Sequence, residues 1–516
     1  MIRYSPNPNT AHLIRWREWG PEAFESACEQ DKPVMLLIGA FWCAFCQRMD
    51  ETAFSDEEVA ALLNAYFVPV RCENAQRPDV DVRYNHNGWP TIIFMAPGGE
   101  PLATVNYLDT EDFANVLVRV HTAYQAAKDN FSSAAPPAEV PSTEAPATET
   151  TELKVHVPKS DKPHLEAISE ISAALMAMAD SENGGFGSEH RFPHPEALDF
   201  LLYRYETTGE ARYLDHVALT LDKLRAGATW DARGGGFFRY SSKPDWSEPH
   251  REKLLADHAG VLSNCLYLFR LSGRDEYRNL AGEIVEYMDT TLSAPSHSAP
   301  SDSPASVSFF GCEDFVRPPG GDPASADPAR WYSIIDELIY TDANALAASA
   351  YFEAARVLER PKLKKRALEI LEFLWSHCRF FIGPMSHYFD GEAQAPGLLI
   401  DQATTGLAML DAHREEKNTV YLERALLLAD VLLAFNANPS GGFHDIGQLG
   451  PAHLRHPLTL VAENGLAARF FFKLAKASGQ SKYREAALRA LAAFTEDLTP
   501  YGVYAASYGR ALGELI

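Results

Sequence analysis

Two cysteines separated by two residues, Cys43 and Cys46 in Phe41-Trp42-Cys43-Ala44-Phe45-Cys46, are the stretch whose chemistry reads directly from residue type and spacing. Such a pair can close a small disulfide. It reacts when its first member stands at a helix N-terminus, where unpaired N–H groups and the helix dipole favour a thiolate. The neighbouring residues supply that setting: Pro33-Val34-Met35-Leu36-Leu37-Ile38-Gly39 is an apolar run of strand length, and Cys46-Gln47-Arg48-Met49 onward has a helical pattern. The rival use of the pair is half of a zinc site, which needs two more ligands from a second CxxC or a spaced histidine pair, and the sequence offers neither. Cys43 is therefore expected to be an exposed attacking thiolate, Cys46 the resolving thiol, and Trp42 a shield over both.

Four carboxylates form a second constellation. They lie in Leu255-Ala256-Asp257-His258-Ala259, Tyr340-Thr341-Asp342-Ala343-Asn344-Ala345, Leu399-Ile400-Asp401-Gln402-Ala403 and Val461-Ala462-Glu463-Asn464-Gly465, each at the opening of a helical stretch. From His164 to the C-terminus helices rich in Ala and Leu are punctuated by glycine-aromatic loops, such as Gly184-Gly185-Phe186-Gly187, Gly234-Gly235-Gly236-Phe237-Phe238 and Gly441-Gly442-Phe443. Six such loops fit six αα-hairpins closed into a toroid, although the periodicity marks only about eleven helices. Equivalent positions in a toroid share one end. Asp257, Asp342, Asp401 and Glu463 would then meet at a mouth lined by Phe186, Phe237, Phe238, Tyr240, Trp246 and Phe443, a pocket suited to a sugar. His194, His250 and His258 are the candidate proton-transfer groups. Against this stands the use of acidic and amide residues at helix starts as caps or packing groups.

The elements that position these groups fall into two domains and a tether. At 516 residues the chain exceeds a single core. Residues 1–131 alternate strands and helices, with Asp56 opening one helix, Pro21 another, and Tyr66-Phe67-Val68-Pro69-Val70-Arg71-Cys72 forming a second central strand. Cys28 and Cys72 read as core and strand residues. Residues 132–160 are Pro, Ala, Ser, Thr and Glu without an aromatic over most of their length, the composition of a disordered tether. Residues 161–516 form the helical domain, with a Ser/Pro/Ala/Asp insert at 293–308 expected to lack regular structure.

Strand, short loop, CxxC and helix make up the thioredoxin arrangement. Trp19-Gly20-Pro21-Glu22-Ala23-Phe24, Asp31-Lys32-Pro33, Cys43 to Cys46, Phe54-Ser55-Asp56-Glu57-Glu58-Val59-Ala60, Arg77-Pro78-Asp79 and Gly88-Trp89-Pro90 extend the match. The resemblance continues through Arg191-Phe192-Pro193-His194-Pro195, Gly234 to Ser241 and Pro249-His250-Arg251-Glu252-Lys253. On these motifs the chain resembles the spermatogenesis-associated, thioredoxin-domain-containing protein family. The resemblance implies a thioredoxin-like α/β fold followed by an all-α (α/α)6 toroid of the six-hairpin glycosidase type, and a cis Pro90 lying against the cysteine pair and holding a substrate strand. Family members usually carry histidines inside and beside CxxC. Ala44, Phe45 and Gln47 stand there in this chain.

Three functions are compatible with these residues. One is a thiol-disulfide redox module coupled to a carbohydrate-binding or carbohydrate-processing barrel; its partners would be a disulfide-bearing protein, a reductant of the thioredoxin reductase type and a sugar-like small molecule. The second is a sugar hydrolase or epimerase-like enzyme in the barrel beside a structural thioredoxin domain. The third is a non-catalytic interaction scaffold. A formal net charge of −24 opposes nucleic acid and anionic membranes. No nucleotide loop, flavin or nicotinamide fingerprint or metal-ligand spacing is present, so no cofactor is expected. The first residues lack the apolar core of a signal peptide, no apolar run has membrane-spanning length, and cysteines are few, which together lead to a cytoplasmic expectation.

Overall fold

The computed structural model describes residues 2–85, 87–127, 162–295, 306–316, 331–381, 383–447, 457–494 and 498–515. The expected tether at 132–160 lies outside the described residues. The chain divides into two compact units. One comprises Met1–Thr148, Phe315–Ile334 and Gln448–Pro457, the other Glu149–Asp314, Ile335–Gly447 and Leu458–Ile516.

In the first unit the apolar run after Pro33 becomes β1 (Val34–Gly39), the inner strand of a sheet with β2 (Val68–Glu73), β3 (Thr91–Met95) and β4 (Pro101–Val105) in the order β2-β1-β3-β4. β1 runs parallel to β2 and antiparallel to β3, and β3 pairs antiparallel with β4. Apolar clusters cover both faces of β1: Leu36 and Ile38 pack with Phe24, Val70 and Ile93, and Met35 and Leu37 with Phe54, Phe94 and Phe113. Burial on both faces is why β1 reads as a continuous apolar run rather than an alternating one.

The helices of this unit are α1 (Pro21–Gln30), α2 (Ala44–Glu51), α3 (Glu57–Tyr66), α4 (Pro78–Tyr84) and α5 (Thr110–Ala127). A parallel pair needs a crossover, and α2 and α3 supply it between β1 and β2. The expected cap is present: the Asp56 carboxylate accepts the N–H groups of Glu58 and Val59 at 3.0 Å each. α1 starts at Pro21 and buries Ala23, Phe24 and Ala27, while Cys28 is half-buried. Asp50 of α2 is almost fully buried and accepts two hydrogen bonds from the Arg71 guanidinium of β2, at 2.6 and 2.8 Å. This two-point, charge-assisted contact fixes the helix that follows the cysteines against the sheet.

The second unit is built from twelve helices among the described residues: α6 (Lys162–Met178), α7 (Pro195–Thr208), α8 (Ala211–Ala226), α9 (Leu255–Ser272), α10 (Asp275–Thr291), α11 (Thr341–Val357), α12 (Pro361–His377), α13 (Leu399–Glu416), α14 (Thr419–Phe435), α15 (Val461–Ser478), α16 (Ser481–Ala492) and α17 (Ala506–Leu515). An inner ring runs α7, α9, α11, α13, α15, α17 and back to α7, each packing on the next. Each inner helix also packs on an outer one, α8, α10, α12, α14 and α16 in turn, and α6 covers α17. The sixth hairpin thus joins the two ends of the unit. Its inner member is the ten-residue α17, and the six hairpins hold twelve helices where periodicity marks about eleven.

The insert at 293–308 departs from expectation at both ends. Ser293–Pro295 and Ser306–Phe309 pair as antiparallel strands, and 296–305 lies outside the described residues.

Close approach within the ring depends on glycine. A Cβ on Gly406 of α13 would meet the Phe470 ring at 2.4 Å, and one on Gly465 of α15 would meet the backbone N of Tyr508 at 2.5 Å. Since backbone cannot step aside as a side chain can, Gly465→Ala is expected to cost about 1–3 kcal/mol. The expected readout is a lower denaturation midpoint for the helical unit; an unchanged midpoint would contradict this packing.

Candidate functional site

The cysteine pair sits where β1 hands the chain to α2. Cys43 is the N-cap of α2, and its Sγ accepts the N–H of Cys46 at 3.0 Å. The two form a disulfide with Cα atoms 5.2 Å apart. The loop before the pair is tied down from two directions: Glu73 at the end of β2 accepts the N–H of Phe41 at 2.9 Å, and Gln47 donates to the Phe41 carbonyl at 3.0 Å. Gln47 thus has a structural use.

Trp89–Pro90 is a cis peptide, as the thioredoxin resemblance implied. Asn106 donates to the Pro90 carbonyl at 3.1 Å, and the Trp89 indole N–H to Asp81 at 2.9 Å. Trp42 and Trp89 pack against Cys43 and Cys46, their rings edge to face at 5.0 Å. The expectation of an exposed Cys43 is corrected: Cys43 is 6% and Cys46 5% exposed. Exposure therefore does not distinguish the two sulfurs, whereas position does, since Cys43 is the N-cap of α2. Cys72 is a residue of β2 whose side chain joins the core, and burial pushes its thiol well above the usual range.

At the opening of the inner helices the polar residues divide into two roles. His258, Asn344, Gln402 and Asn464 are buried clamps. Asn464 accepts the N–H of Phe443 at 2.8 Å and donates at 3.0 Å to both the Phe443 and Leu460 carbonyls. Asn344 does the same to Phe309 and Tyr340, and Gln402 to Met385 and Leu398. His258 repeats the pattern with an imidazole: Nε2 accepts the Phe237 N–H at 3.1 Å, so Nδ1 carries the proton and donates to the Leu254 carbonyl at 2.7 Å. Burial pushes His258 down to about 3. With both nitrogens engaged it is a neutral structural group, which corrects its candidacy as a proton-transfer residue.

The clamps also supply a register for the acids. Asp257, Asp401 and Glu463 each directly precede a clamp, whereas Asp342 stands two residues before Asn344. The four acids are therefore not all equivalent. One residue is about 100° on a helix, and the shift brings Asp342 together with Asp401 and His387 of the short strand Ser386–Phe389. The carboxylate of fully buried Asp401 faces His387 Nδ1 at 3.0 and 3.1 Å and accepts the backbone N–H of Asp342. Burial, opposed by His387, pushes Asp401 up to about 6. His387 was not singled out by sequence, since nothing in Ser386-His387-Tyr388 marks it, and only the pairing of its strand beside the start of α11 places it.

Asp257 has different company. Burial pushes its carboxyl up to about 7, with Arg239 pulling down and Glu196 and Glu252 adding negative charge, and its Oδ2 lacks a hydrogen-bond partner. Arg239 pairs with Glu252 at 3.5 Å. Tyr240 is sandwiched by ring contacts, to Phe192 at 4.4 Å and to His250 at 4.0 Å. The shielding of its stacked ring, with Arg239 nearby, pushes His250 down to about 4. His194, a left-handed N-cap residue of α7 at φ 47°, is pushed to about 4 by burial. Glu463 occupies the corresponding position on α15 and is half-buried.

The loop aromatics are not an open lining. Phe186, Phe237, Phe238, Trp246 and Phe443 are buried as plugs of their own loops, which corrects the expected aromatic mouth; Tyr240 is half-buried. Lys253 of the Pro-His-x-Glu-Lys motif is likewise internal, with Nζ held by Asp231 at 2.7 Å and Glu313 at 3.0 Å.

Comparison with known proteins follows the same two halves. Residues 7–138 match the family described as Thioredox_DsbH, protein of unknown function, DUF255. Spermatogenesis-associated protein 20 of Mus musculus is 29% identical over 343 residues, covering 62% of this chain and 40% of that protein. Over these residues the chain is similar to the spermatogenesis-associated, thioredoxin-domain proteins. The match spans about two-fifths of the length of these relatives. Thiol:disulfide interchange protein DsbD 1 of Pseudomonas aeruginosa is 34% identical over 105 residues, 20% of this chain and 18% of that protein.

Two solved structures share the toroid. Cellobiose 2-epimerase from Bacillus thermoamylovorans has a TM-score of 0.51 at 12% identity, covering 64% of this chain and 86% of that one. Cellobiose 2-epimerase from Spirochaeta thermophila has a TM-score of 0.50 at 14% identity, covering 69% and 98%. At such identity the likeness establishes the (α/α)6 fold. The chain therefore joins a thioredoxin-like domain to a six-hairpin toroid. Among its described residues no helix is long and apolar enough to cross a membrane.

The raised Asp257 carboxyl makes stability depend on pH. Between the unfolded value, about 3.9, and about 7 in the fold, the folded chain holds a proton that the unfolded chain has released. Stability from this group is therefore full at low pH and is lost as pH rises through that window. The denaturation midpoint of the helical unit is expected to fall between about pH 4 and pH 7, and Asp257→Asn to flatten that slope. Identical slopes in the two proteins would refute the assignment.

Proposed function

We propose that this chain is a thiol-disulfide oxidoreductase acting through Cys43 and Cys46, coupled to a barrel that binds a sugar-like ligand. The position of Cys43 carries the reading: its sulfur caps α2 and already accepts a backbone N–H at 3.0 Å, the contact that stabilises a thiolate. In the reduced protein Cys43 attacks one sulfur of a substrate disulfide, and the other substrate sulfur leaves as a thiolate. Cys46, as thiolate, then attacks Cys43, releasing the second substrate thiolate and closing the Cys43–Cys46 disulfide. Two electrons pass to the substrate, and an external dithiol reductant of the thioredoxin reductase type returns them. Pro90 presents the loop beside which an extended substrate segment lies. Single buried thiols at Cys72, Cys265 and Cys378 support a reducing, cytoplasmic setting.

Pre-reduced protein is expected to reduce insulin disulfides, and Cys43→Ser to lower the turnover at least a hundredfold. Undiminished turnover in the variant would overturn the assignment.

A second reading makes the barrel an enzyme acting on sugars. It is favoured by Asp257, a carboxyl pushed up to about 7 with one oxygen unpartnered, as a general acid at neutral pH requires. Asp257 would carry the proton, with His194, His250, Asp342, Asp401 and Glu463 as further ligand groups. Calorimetry over a library of mono- and disaccharides is expected to show a ligand whose binding heat disappears in Asp257→Ala. Absence of heat across the library would eliminate the sugar barrel and leave the redox domain.

A further inference from the structure

We propose that Asp342, His387 and Asp401 form a site for one divalent transition-metal cation of the zinc or manganese class. Each residue offers one ligand atom, and the three atoms lie within 4.8 Å of one another. They come from separate elements, α11, the strand Ser386–Phe389 and α13, so their meeting is a product of the fold rather than of local spacing.

The electrostatics favour a cation. Asp401 is fully buried and His387 is 4% exposed. Two carboxylates converging in such surroundings repel one another and lose their hydration. A protonated imidazole supplies one positive charge against two negative ones, while a divalent cation neutralises both. The donor set is one imidazole nitrogen and two carboxylate oxygens, which suits zinc or manganese and falls short of the six or more oxygens that calcium prefers. A second observation lies one turn along α13. Thr405 is on the same helix face as Asp401 and keeps a fully buried hydroxyl without a hydrogen-bond partner. That face of α13 thus carries an unmet polar group as well as the Asp401 carboxylate.

The site does not depend on the sugar reading, because cation uptake is measured without any sugar. The full chain carrying Cys43→Ser and Cys46→Ser, which removes metal binding by the CxxC pair, is stripped with EDTA and titrated calorimetrically with zinc chloride and with manganese chloride. One equivalent per chain is expected for at least one of the two, accompanied by a rise in melting temperature. His387→Gln and Asp342→Asn, each added to that background, are expected to weaken uptake at least tenfold. Asp342 is half-buried, so its substitution keeps the test independent of any folding defect at His387. No stoichiometric uptake of either metal, or uptake unchanged by both substitutions, overturns the site and leaves protonated His387 as the counter-charge of the two acids.

Discussion

The toroid depends on one repeated interaction: a buried polar side chain near the start of an inner helix that takes both the N–H and the C=O of a loop residue. Asn344, Gln402 and Asn464 make it with an amide, whose carbonyl and NH2 ends match a peptide group in reverse, and each spends its second N–H on the carbonyl four residues earlier in its own chain. A loop driven inward by an aromatic plug would otherwise bury its backbone polar groups unpaired, at about 1–3 kcal/mol each. The clamp allows Phe309, Met385 and Phe443 to enter the core beside helix ends. His258 shows that the requirement is geometric rather than specific to amides, since one acceptor and one donor on a rigid ring meet it in part.

Fixing the loops also fixes where the acids stand. Because the residue before a clamp has a set direction, Asp257, Asp401 and Glu463 are placed by the same device, and Asp342 is turned away from that register by one residue. The outcome is chemical differentiation from similar sequence motifs. Asp257 is left among other acids and Arg239 with its carboxyl pushed up to about 7, while Asp401 is held by an imidazole and a backbone N–H and rises only to about 6. Burial raises both, and the neighbours decide how far.

The thioredoxin-like unit solves a simpler problem by the same economy of backbone groups. An N-terminal turn of α2 has unpaired N–H groups, and Cys43 Sγ takes one of them. Glu73, Gln47 and the Asp50–Arg71 pair then hold the loop and the helix to the sheet, so the sulfur's surroundings are set by β2 as much as by the CxxC stretch itself.

The sequence by itself determined the strands and helices around CxxC, the cap at Asp56, the pairing of Cys43 with Cys46 and the hairpin periodicity, because each depends on residues a few positions apart whose geometry is set by the local backbone. It did not reveal the twelfth helix of the toroid or the buried state of Cys43, which follows from Trp42 and Trp89 packing against the cysteine pair. The roles of His258 and His387 were equally out of reach. Nothing in the neighbours of either, Asp257 and Ala259 or Ser386 and Tyr388, names its partners, yet one has its two nitrogens consumed by loop backbone and the other meets two carboxylates from α11 and α13. Which partners reach an imidazole is decided by packing between elements far apart in the chain, and only the tertiary structure contains that information.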